Sequence, residues 1–153
     1  MIIYSINFGE KMIRKKKETD LNKILQIWLN ENITAHYFID KSYWQDNFDF
    51  VKDAIAKADV YVYEENGKIV AFAGMKDNYL AGIFVSSDYQ GRGVGKSLLN
   101  YLKENYTKIT LSVFQENQRA VRFYLSQDFF VINRSVDEAT GHEEWLMKWE
   151  KTR

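Results

Sequence analysis

The segment at residues 90–97, with the sequence QGRGVGKS, carries three glycines and two basic residues between a strand-like run and a helix-like run. Glycine lets the backbone turn sharply and approach a ligand closely, and the free N–H groups at the start of a helix favour an anion. Arg92 and Lys96 would add positive charge there, and Ser97 would add a hydroxyl donor. The segment therefore predicts a site for a phosphate or a diphosphate group.

Spacing separates this segment from two familiar phosphate-binding loops. A nucleoside-triphosphatase loop, G-x-x-x-x-G-K-S, needs glycine where the chain has Gln90. A dinucleotide-binding loop, G-x-G-x-x-G, needs glycine where the chain has Lys96 or Leu98. Neither nucleotide hydrolysis nor hydride transfer is expected, and the pattern that remains is Gln90-x-x-Gly93-x-Gly95.

Two residue types that often carry chemistry are absent or scarce. The chain has no cysteine, which excludes disulfides, thiolate-bound zinc and any mechanism that holds an acyl group on a thiol. It has two histidines, His36 and His142, too few for a three-histidine metal site. We therefore expect no metal, and a group transfer without a cysteine intermediate.

The elements around the loop follow an α/β (α+β) pattern. Asp20 is a capping residue before helical spacing that reaches Trp28, and a second amphipathic helix is predicted over 44–55. The Asn66-Gly67 pair predicts a hairpin between two strands. The predicted strands are 60–63, 69–73, 80–85, 109–114, 129–133 and 144–149, and the later predicted helices are 94–106 and 117–125.

Length and composition predict one domain, because 153 residues with 46% hydrophobic content can bury a sizeable core. We assign it residues 12–153 and interpret residues 1–11 as an N-terminal extension or an alternative start. Basic and acidic residues both number 21, so no global field favours nucleic acid, and the basic run 14–17 is interpreted as the solvated face of the first strand. No apolar run approaches the roughly 18 residues of a membrane helix. We expect a cytoplasmic protein that binds no membrane.

Two motifs in register resemble those of the GNAT superfamily of acetyl-CoA-dependent N-acetyltransferases. The first is the glycine loop after the strand 81–85, and the resemblance extends from about Ile13 to the C-terminus. The second motif reads Asn117-x-x-Ala120-x-x-Phe123-Tyr124. The resemblance implies a mixed, mostly antiparallel sheet of six to seven strands flanked by about four helices. It also implies acetyl-CoA as cosubstrate, an amine acceptor, and a monomer or homodimer.

Two positions depart from the family pattern. The family often has proline where this chain has Ser87, and glycine where it has Asp128. Proline there mainly stiffens the loop, and aspartate tolerates a left-handed backbone better than most residues. Both departures are expected to cost a little stability and no chemistry.

The resemblance implies two catalytic roles. The backbone N–H of Val85 would bind the thioester oxygen, and Tyr124 would be the general acid that protonates the leaving thiolate. The residues implied to bind the coenzyme are Ile83, Phe84, Val85, Gln90, Gly91, Arg92, Gly93, Val94, Gly95, Lys96, Ser97, Asn117, Ala120, Phe123 and Tyr124. Asn117 could instead, or also, cap its helix.

The acceptor side is less defined. A general base is expected because an alkylammonium must lose a proton before it attacks, and the candidates are Asp77, Glu116, His36 and Glu144. A cationic amine would be held by His36, Tyr43, Trp44 and Glu144, with Asp40 nearby. Alternatively, Tyr43 and Trp44 simply begin an amphipathic helix.

The leading hypothesis is an N-acetyltransferase that moves the acetyl group from acetyl-CoA directly to a primary amine through a ternary complex. The amine could belong to a small molecule, a protein lysine or a protein N-terminus. The alternative is a non-catalytic acyl-CoA-binding or sensing module, and Tyr124 favours the enzyme. Transfer of a longer acyl chain stays open, since it depends on the volume near Val85 and Phe114.

Overall fold

The computed structural model describes residues 10–152 of the chain. Seven strands in this part form one sheet, in the order β1-β2-β3-β4-β5-β7-β6. The strands are β1 (Lys11–Lys15), β2 (Asp59–Glu65), β3 (Lys68–Lys76), β4 (Tyr79–Val85), β5 (Lys108–Phe114), β6 (Phe130–Val136) and β7 (Glu143–Glu150). The α-helices are α1 (Leu21–Ala35), α2 (Lys41–Asp46), α3 (Phe48–Lys57), α4 (Val94–Asn105) and α5 (Gln118–Ser126). The predicted fold class, a mixed and mostly antiparallel sheet flanked by helices, is confirmed.

The parallel pair β4 and β5 divides the sheet into two halves. All other neighbouring strands are antiparallel and pair along most of their length. β4 and β5 share a single register pair, Tyr79 with Thr110, at the start of both strands. Beyond that pair the strands separate, so the sheet opens as a V towards Val85 and Phe114.

Each face of the sheet has its own hydrophobic core because side chains alternate along the strands. One face packs under α4 and α5, with Leu98 and Leu102 fully buried. The other face packs under α1, α2 and α3, with Ile24 and Leu25 fully buried. In β3, for example, Ala71 and Ala73 belong to the first core, whereas Phe72 belongs to the second.

The predicted helix over 44–55 is wrong as a single element. The structure ends α2 at Asp46 and starts α3 at Phe48. Asn47 lies between them, and its side-chain Nδ2 donates to the Tyr43 carbonyl at 2.7 Å. Such a local side-chain bond competes with continuation of the helix. The described chain therefore has three α-helices before residue 58, rather than the two expected.

Asp20 and Arg14 also differ from their predicted roles. The Asp20 carboxylate makes no capping bond to α1. It accepts instead from the Lys17 backbone N–H at 2.7 Å and from the Arg14 guanidinium at 2.8 Å. Arg14 is partly buried and also lies 3.5 Å from Glu64, so it fastens β1 to its neighbours rather than simply facing solvent.

The N-terminal boundary is only partly visible. β1 begins at Lys11, and the Glu10 carbonyl accepts from the Asn66 N–H at 3.0 Å. The rest of the predicted extension, residues 1–9, lies outside the described residues. None of the helices within residues 10–152 combines the length and apolarity needed to cross a bilayer.

Candidate active site

A cleft of about 860 Å³ occupies the open end of the V between β4 and β5. Its walls come from the end of α1, the end of β4, the glycine loop, the start of α4, and α5. All of the predicted coenzyme-binding residues line this cleft except Arg92 and Ser97. The structure thus brings together segments that are far apart in the sequence.

The end of β4 presents to the cleft backbone groups that do not pair with β3, and of these the Val85 carbonyl accepts from Gln90 Nε2 at 2.8 Å. Ser86 N donates to Val70 O at 2.8 Å, and the register to β3 is regular from there through Val85 and Ile83. Because hydrogen-bonded and non-bonded pairs alternate in antiparallel strands, the N–H and C=O groups of Ile83 and Val85 point away from β3. They face the side on which β5 has separated, so an extended ligand could add there as a strand.

The glycine loop leads directly into α4. Gly93 is the residue before the helix, with a left-handed φ of 82°, and no side chain caps the first turn. The N–H groups of that turn are therefore available to an anion. Lys96 lines the same part of the cleft. These residues fit a diphosphate group such as that of coenzyme A.

The basic side chains of the region differ from the prediction. Arg92 lies over the Tyr89 ring, 5.2 Å from its centroid, and does not line the cleft. Arg119 of α5 lines it instead. Sequence reasoning missed Arg119, although a cation inside the Asn117 to Ala120 motif is a signal that could have identified it.

Tyr124 lies buried in the cleft wall, with 7% of its surface exposed. Phe123 and Phe129 contact its ring edge to face, with centroids 5.3 and 5.5 Å away. Burial, and to a smaller degree Tyr79, raises the pKa of Tyr124 well above its ordinary value. The phenol therefore stays protonated, as a hydrogen donor must.

Asn117 both caps α5 and contacts His36. Its Oδ1 accepts from Ala120 N at 3.2 Å, which leaves Nδ2 to donate to His36 Nε2 at 3.1 Å. The hydrogen of the neutral imidazole then belongs on Nδ1, a buried atom with no hydrogen-bond partner among residues 10–152. Burial lowers the pKa of His36 to about 4. His36 lines the cleft, but its one lone pair is already used.

The residues predicted to hold the acceptor differ in their depth in the protein. The Trp44 ring stacks on His36 at 5.2 Å and packs against Trp28, so it is buried behind the cleft rather than in its lining. Tyr43 is partly exposed, and burial, Asp137 and Glu144 together raise its pKa. Burial first, and the charge of Asp137 second, also raises the pKa of Glu144.

The base candidates are separated by position. Asp77 lies in the turn before β4, roughly 20 Å along the strand from Val85 and at the closed end of the V. Glu144 pairs in register with Phe114 beside the cleft. Glu116 lines the cleft, and its Oε1 lies 2.8 Å from His142 Nδ1. Within residues 10–152, no group of three or more acidic, histidine or cysteine side chains is arranged to hold a metal ion.

Glu31 is a cleft residue that sequence reasoning missed. It is 9% exposed, and its carboxylate accepts from Ser87 Oγ at 3.0 Å and from Gln90 Nε2 at 2.8 Å. It falls on the buried stripe of α1 together with Ile24 and Trp28. A carboxylate on an apolar helix face was the signal available.

Comparison with known proteins matches the chain to one family of acetyltransferases. A family model described as "Acetyltransferase (GNAT) family" matches residues 21–129. The peptidyl-lysine N-acetyltransferase YiaC of Escherichia coli (strain K12) is 36% identical over 140 residues, covering 90% of this chain and 96% of that protein.

Solved structures share the fold at lower identity. The apo form of YjaB from Escherichia coli matches with a TM-score of 0.82 at 23% identity, covering 94% of this chain and 99% of that one. The PaiA N-acetyltransferase from Thermoplasma acidophilum, in complex with coenzyme A, has a TM-score of 0.77 at 16% identity, covering 92% and 99%.

Proposed function

The chain belongs to the acetyltransferase (GNAT) family, and on that premise we propose that it acetylates the side-chain amine of lysine residues in proteins. Acetyl-CoA is the acetyl donor. The observation that carries the proposal is one cleft in which the free Val85 N–H and the Tyr124 phenol are both present. A nucleophile entering this cleft attacks the thioester directly, so donor and acceptor are bound together in a ternary complex.

Val85 stabilises the charge that develops on the thioester oxygen. Its N–H points into the cleft at the end of β4 and is fixed there by the strand pairing with β3. One preorganised donor of this kind contributes about 3 kcal/mol to transition-state stabilisation. Ile83, two residues earlier on the same edge, offers its backbone groups to the pantetheine amides.

Tyr124 protonates the sulfur as the carbon–sulfur bond breaks. Its raised pKa keeps the proton in place until the leaving thiolate develops negative charge. The edge-to-face contacts with Phe123 and Phe129 restrict the ring to one orientation.

Glu116 accepts the proton that the amine loses, directly or through water. A lysine amine has an ordinary pKa of about 10.4, so it must be deprotonated before it attacks. Of the four candidates, Glu116 and His36 line the cleft, and the His36 lone pair is taken by Asn117. The Oε1 of Glu116 lies 2.8 Å from His142 Nδ1, which restricts the orientation of the carboxylate.

Both the charge around Glu144 and the relative YiaC support lysine in a protein as the acceptor class. Tyr43, Asp137 and Glu144 lie close enough together to influence one another's charge, which suits an ammonium group. YiaC, which is named a peptidyl-lysine N-acetyltransferase, aligns over nearly its whole length. We further propose that the enzyme acts in the cytoplasm, as a monomer or homodimer, and does not bind nucleic acid.

The test is release of free coenzyme A from acetyl-CoA in the presence of different amines. A lysine peptide with a blocked N-terminus is compared with the same peptide carrying arginine, with a lysine-free peptide that has a free N-terminus, with a polyamine, and with an amine-free blank. Release with the lysine peptide alone, and one added acetyl group by mass spectrometry, is the expected result.

Other outcomes of that assay point elsewhere. If coenzyme A is released only with the polyamine, or only with the free N-terminus, that amine and not lysine is the acceptor. Tight binding of acetyl-CoA without release by any amine would favour a sensing module.

A further inference from the structure

A chain of hydrogen bonds crosses the cleft from α1 to α5. The Glu31 carboxylate accepts from Gln90 Nε2 at 2.8 Å, and Gln90 Oε1 accepts from the Arg119 guanidinium at 3.0 Å. We propose that Glu31 is a positioning residue that acts through Gln90 to fix the end of β4 and to hold Arg119 at the coenzyme cleft. The inference rests on the coenzyme site proposed above.

The charge of Glu31 determines the direction of the whole chain. A carboxylate can only accept hydrogen bonds, so Gln90 must turn its NH₂ group towards Glu31. The same Nε2 also donates to the Val85 carbonyl at 2.8 Å. If the amide of Gln90 were reversed, its oxygen would face two acceptors, and its NH₂ group would face the Arg119 cation. Glu31 therefore specifies which end of Gln90 is left for Arg119.

The peptide group between Val85 and Ser86 is held at both of its polar atoms. Its carbonyl accepts from Gln90, and the next residue, Ser86, donates its N–H to Val70. The peptide group that follows the proposed oxyanion donor is thus fixed by a side chain as well as by the sheet. Preorganisation of this kind is what a backbone donor needs to be effective.

The second oxygen of Glu31 fastens the turn after β4. It accepts from Ser87 Oγ at 3.0 Å. Ser87 stands where the family often has proline, which has no side-chain donor and could not make this bond. The buried carboxylate therefore ties α1 to both Ser87 and Gln90, on either side of Tyr89.

The experiment is a double-mutant cycle read by calorimetric titration of coenzyme A. The proteins are the wild type, Glu31→Gln, Gln90→Ala and the double variant. If Glu31 acts through Gln90, each single change weakens coenzyme A binding by about tenfold, and the double variant binds as Gln90→Ala does, within about twofold. If the two losses multiply, to about a hundredfold in the double variant, Glu31 acts independently of Gln90 and the proposal is overturned.

Controls separate this proposal from the proposed function and from loss of fold. Glu104→Gln, an exposed glutamate of α4, is expected to bind coenzyme A as the wild type does. Thermal unfolding is measured for every variant, and Glu31→Asp replaces Glu31→Gln in the cycle if the latter fails to fold. A wild type that does not bind coenzyme A contradicts the proposed function and removes the basis of this inference with it. Multiplying losses in a wild type that does bind would contradict the Glu31 proposal alone.

Discussion

Tyr124 and His36 line the same cleft, and burial keeps both side chains uncharged. The pKa of the phenol is raised and that of the imidazole is lowered. Burial penalises the charged form of either group, so the two pKa values shift in opposite directions for the same reason.

Replacing Tyr124 with phenylalanine should reduce kcat about a hundredfold, because the leaving sulfur loses its proton donor. The KM for acetyl-CoA should stay within about twofold, since the ring and its packing are retained. Steady-state kinetics with saturating lysine peptide checks both values. Tyr101→Phe is the matched control in α4, and unchanged turnover in Tyr124→Phe would remove the acid role.

His36 should make folding stability depend on pH. Its pKa is about 4 in the folded protein and about 6.5 when unfolded, so the unfolded chain binds an extra proton between these values. Stability is complete above about pH 6.5 and falls as the pH drops towards 4, by about 2 kcal/mol at pH 5. Urea unfolding at pH 7.5 and pH 5 measures the difference. His36→Phe should show a difference smaller by that amount, and an equal difference in both proteins would refute the assignment.

The turn between α5 and β6 shows how one element tolerates an unfavoured residue. Asp128 has a left-handed φ of 68°, and the N–H of the following Phe129 donates to the Tyr124 carbonyl at 3.1 Å. The sequence predicted that aspartate could adopt this conformation in place of glycine. The turn holds the end of α5 and thereby the backbone of Tyr124.

Asp128→Gly should raise the free energy of unfolding by about 0.5–1 kcal/mol, whereas Asp128→Val should lower it by about 1–2 kcal/mol. The opposite signs are expected because glycine adopts a positive φ readily, whereas the β-branched side chain of valine disfavours it. Asp128→Asn tests the contribution of the charge, which favours the Lys103 ammonium. Chemical denaturation measures the free energy of unfolding of each variant. A valine variant more stable than the wild type would show that the positive φ at position 128 does not determine stability.

The sequence predicted well those strands, turns and loops whose conformation depends on neighbouring residues. The strand alternation, the Asn66-Gly67 turn and the glycine loop each depend on residues within a few positions of one another. The break at Asn47 was missed because the spacing of apolar residues does not reveal a side-chain bond such as that from Asn47 to the Tyr43 carbonyl. Glu31 and Gln90 are 59 residues apart, and only the packing of α1 against the end of β4 brings them together.

At the scale of the whole molecule, the sheet is incomplete where the coenzyme is proposed to bind. Within residues 10–152, β4 and β5 share one register pair, and their facing edges beyond it have no strand partner. The two motifs predicted that a coenzyme site exists, and the topology explains why the edge of β4 forms one of its walls. The residues expected to hold the acceptor, on α2, on β7 and at the end of α1, had no comparable motif.

Coenzyme A should therefore stabilise the folded protein strongly. A ligand that binds only the folded state adds about 2.7 kcal/mol at a concentration of a hundred times Kd. Differential scanning fluorimetry across a range of coenzyme A concentrations measures the shift in Tm. Hydrogen exchange at the Ile83 and Val85 amides should slow at the same time, and a Tm shift without that protection would place the ligand elsewhere.

The pair Tyr79 with Thr110 is the point from which β4 and β5 diverge, so a rotation of one strand relative to the other would turn about it. Leu80 and Ile109, the neighbours of that pair in β4 and β5, are fully buried beneath α4 together with Leu98. Val85 lies roughly 20 Å along β4 from the pair, so a rotation of about 3° there displaces the strand tip by about 1 Å. A change of side-chain volume at Leu80, Leu98 or Ile109 should therefore alter the space available to an acyl group, with every residue that lines the cleft left unchanged.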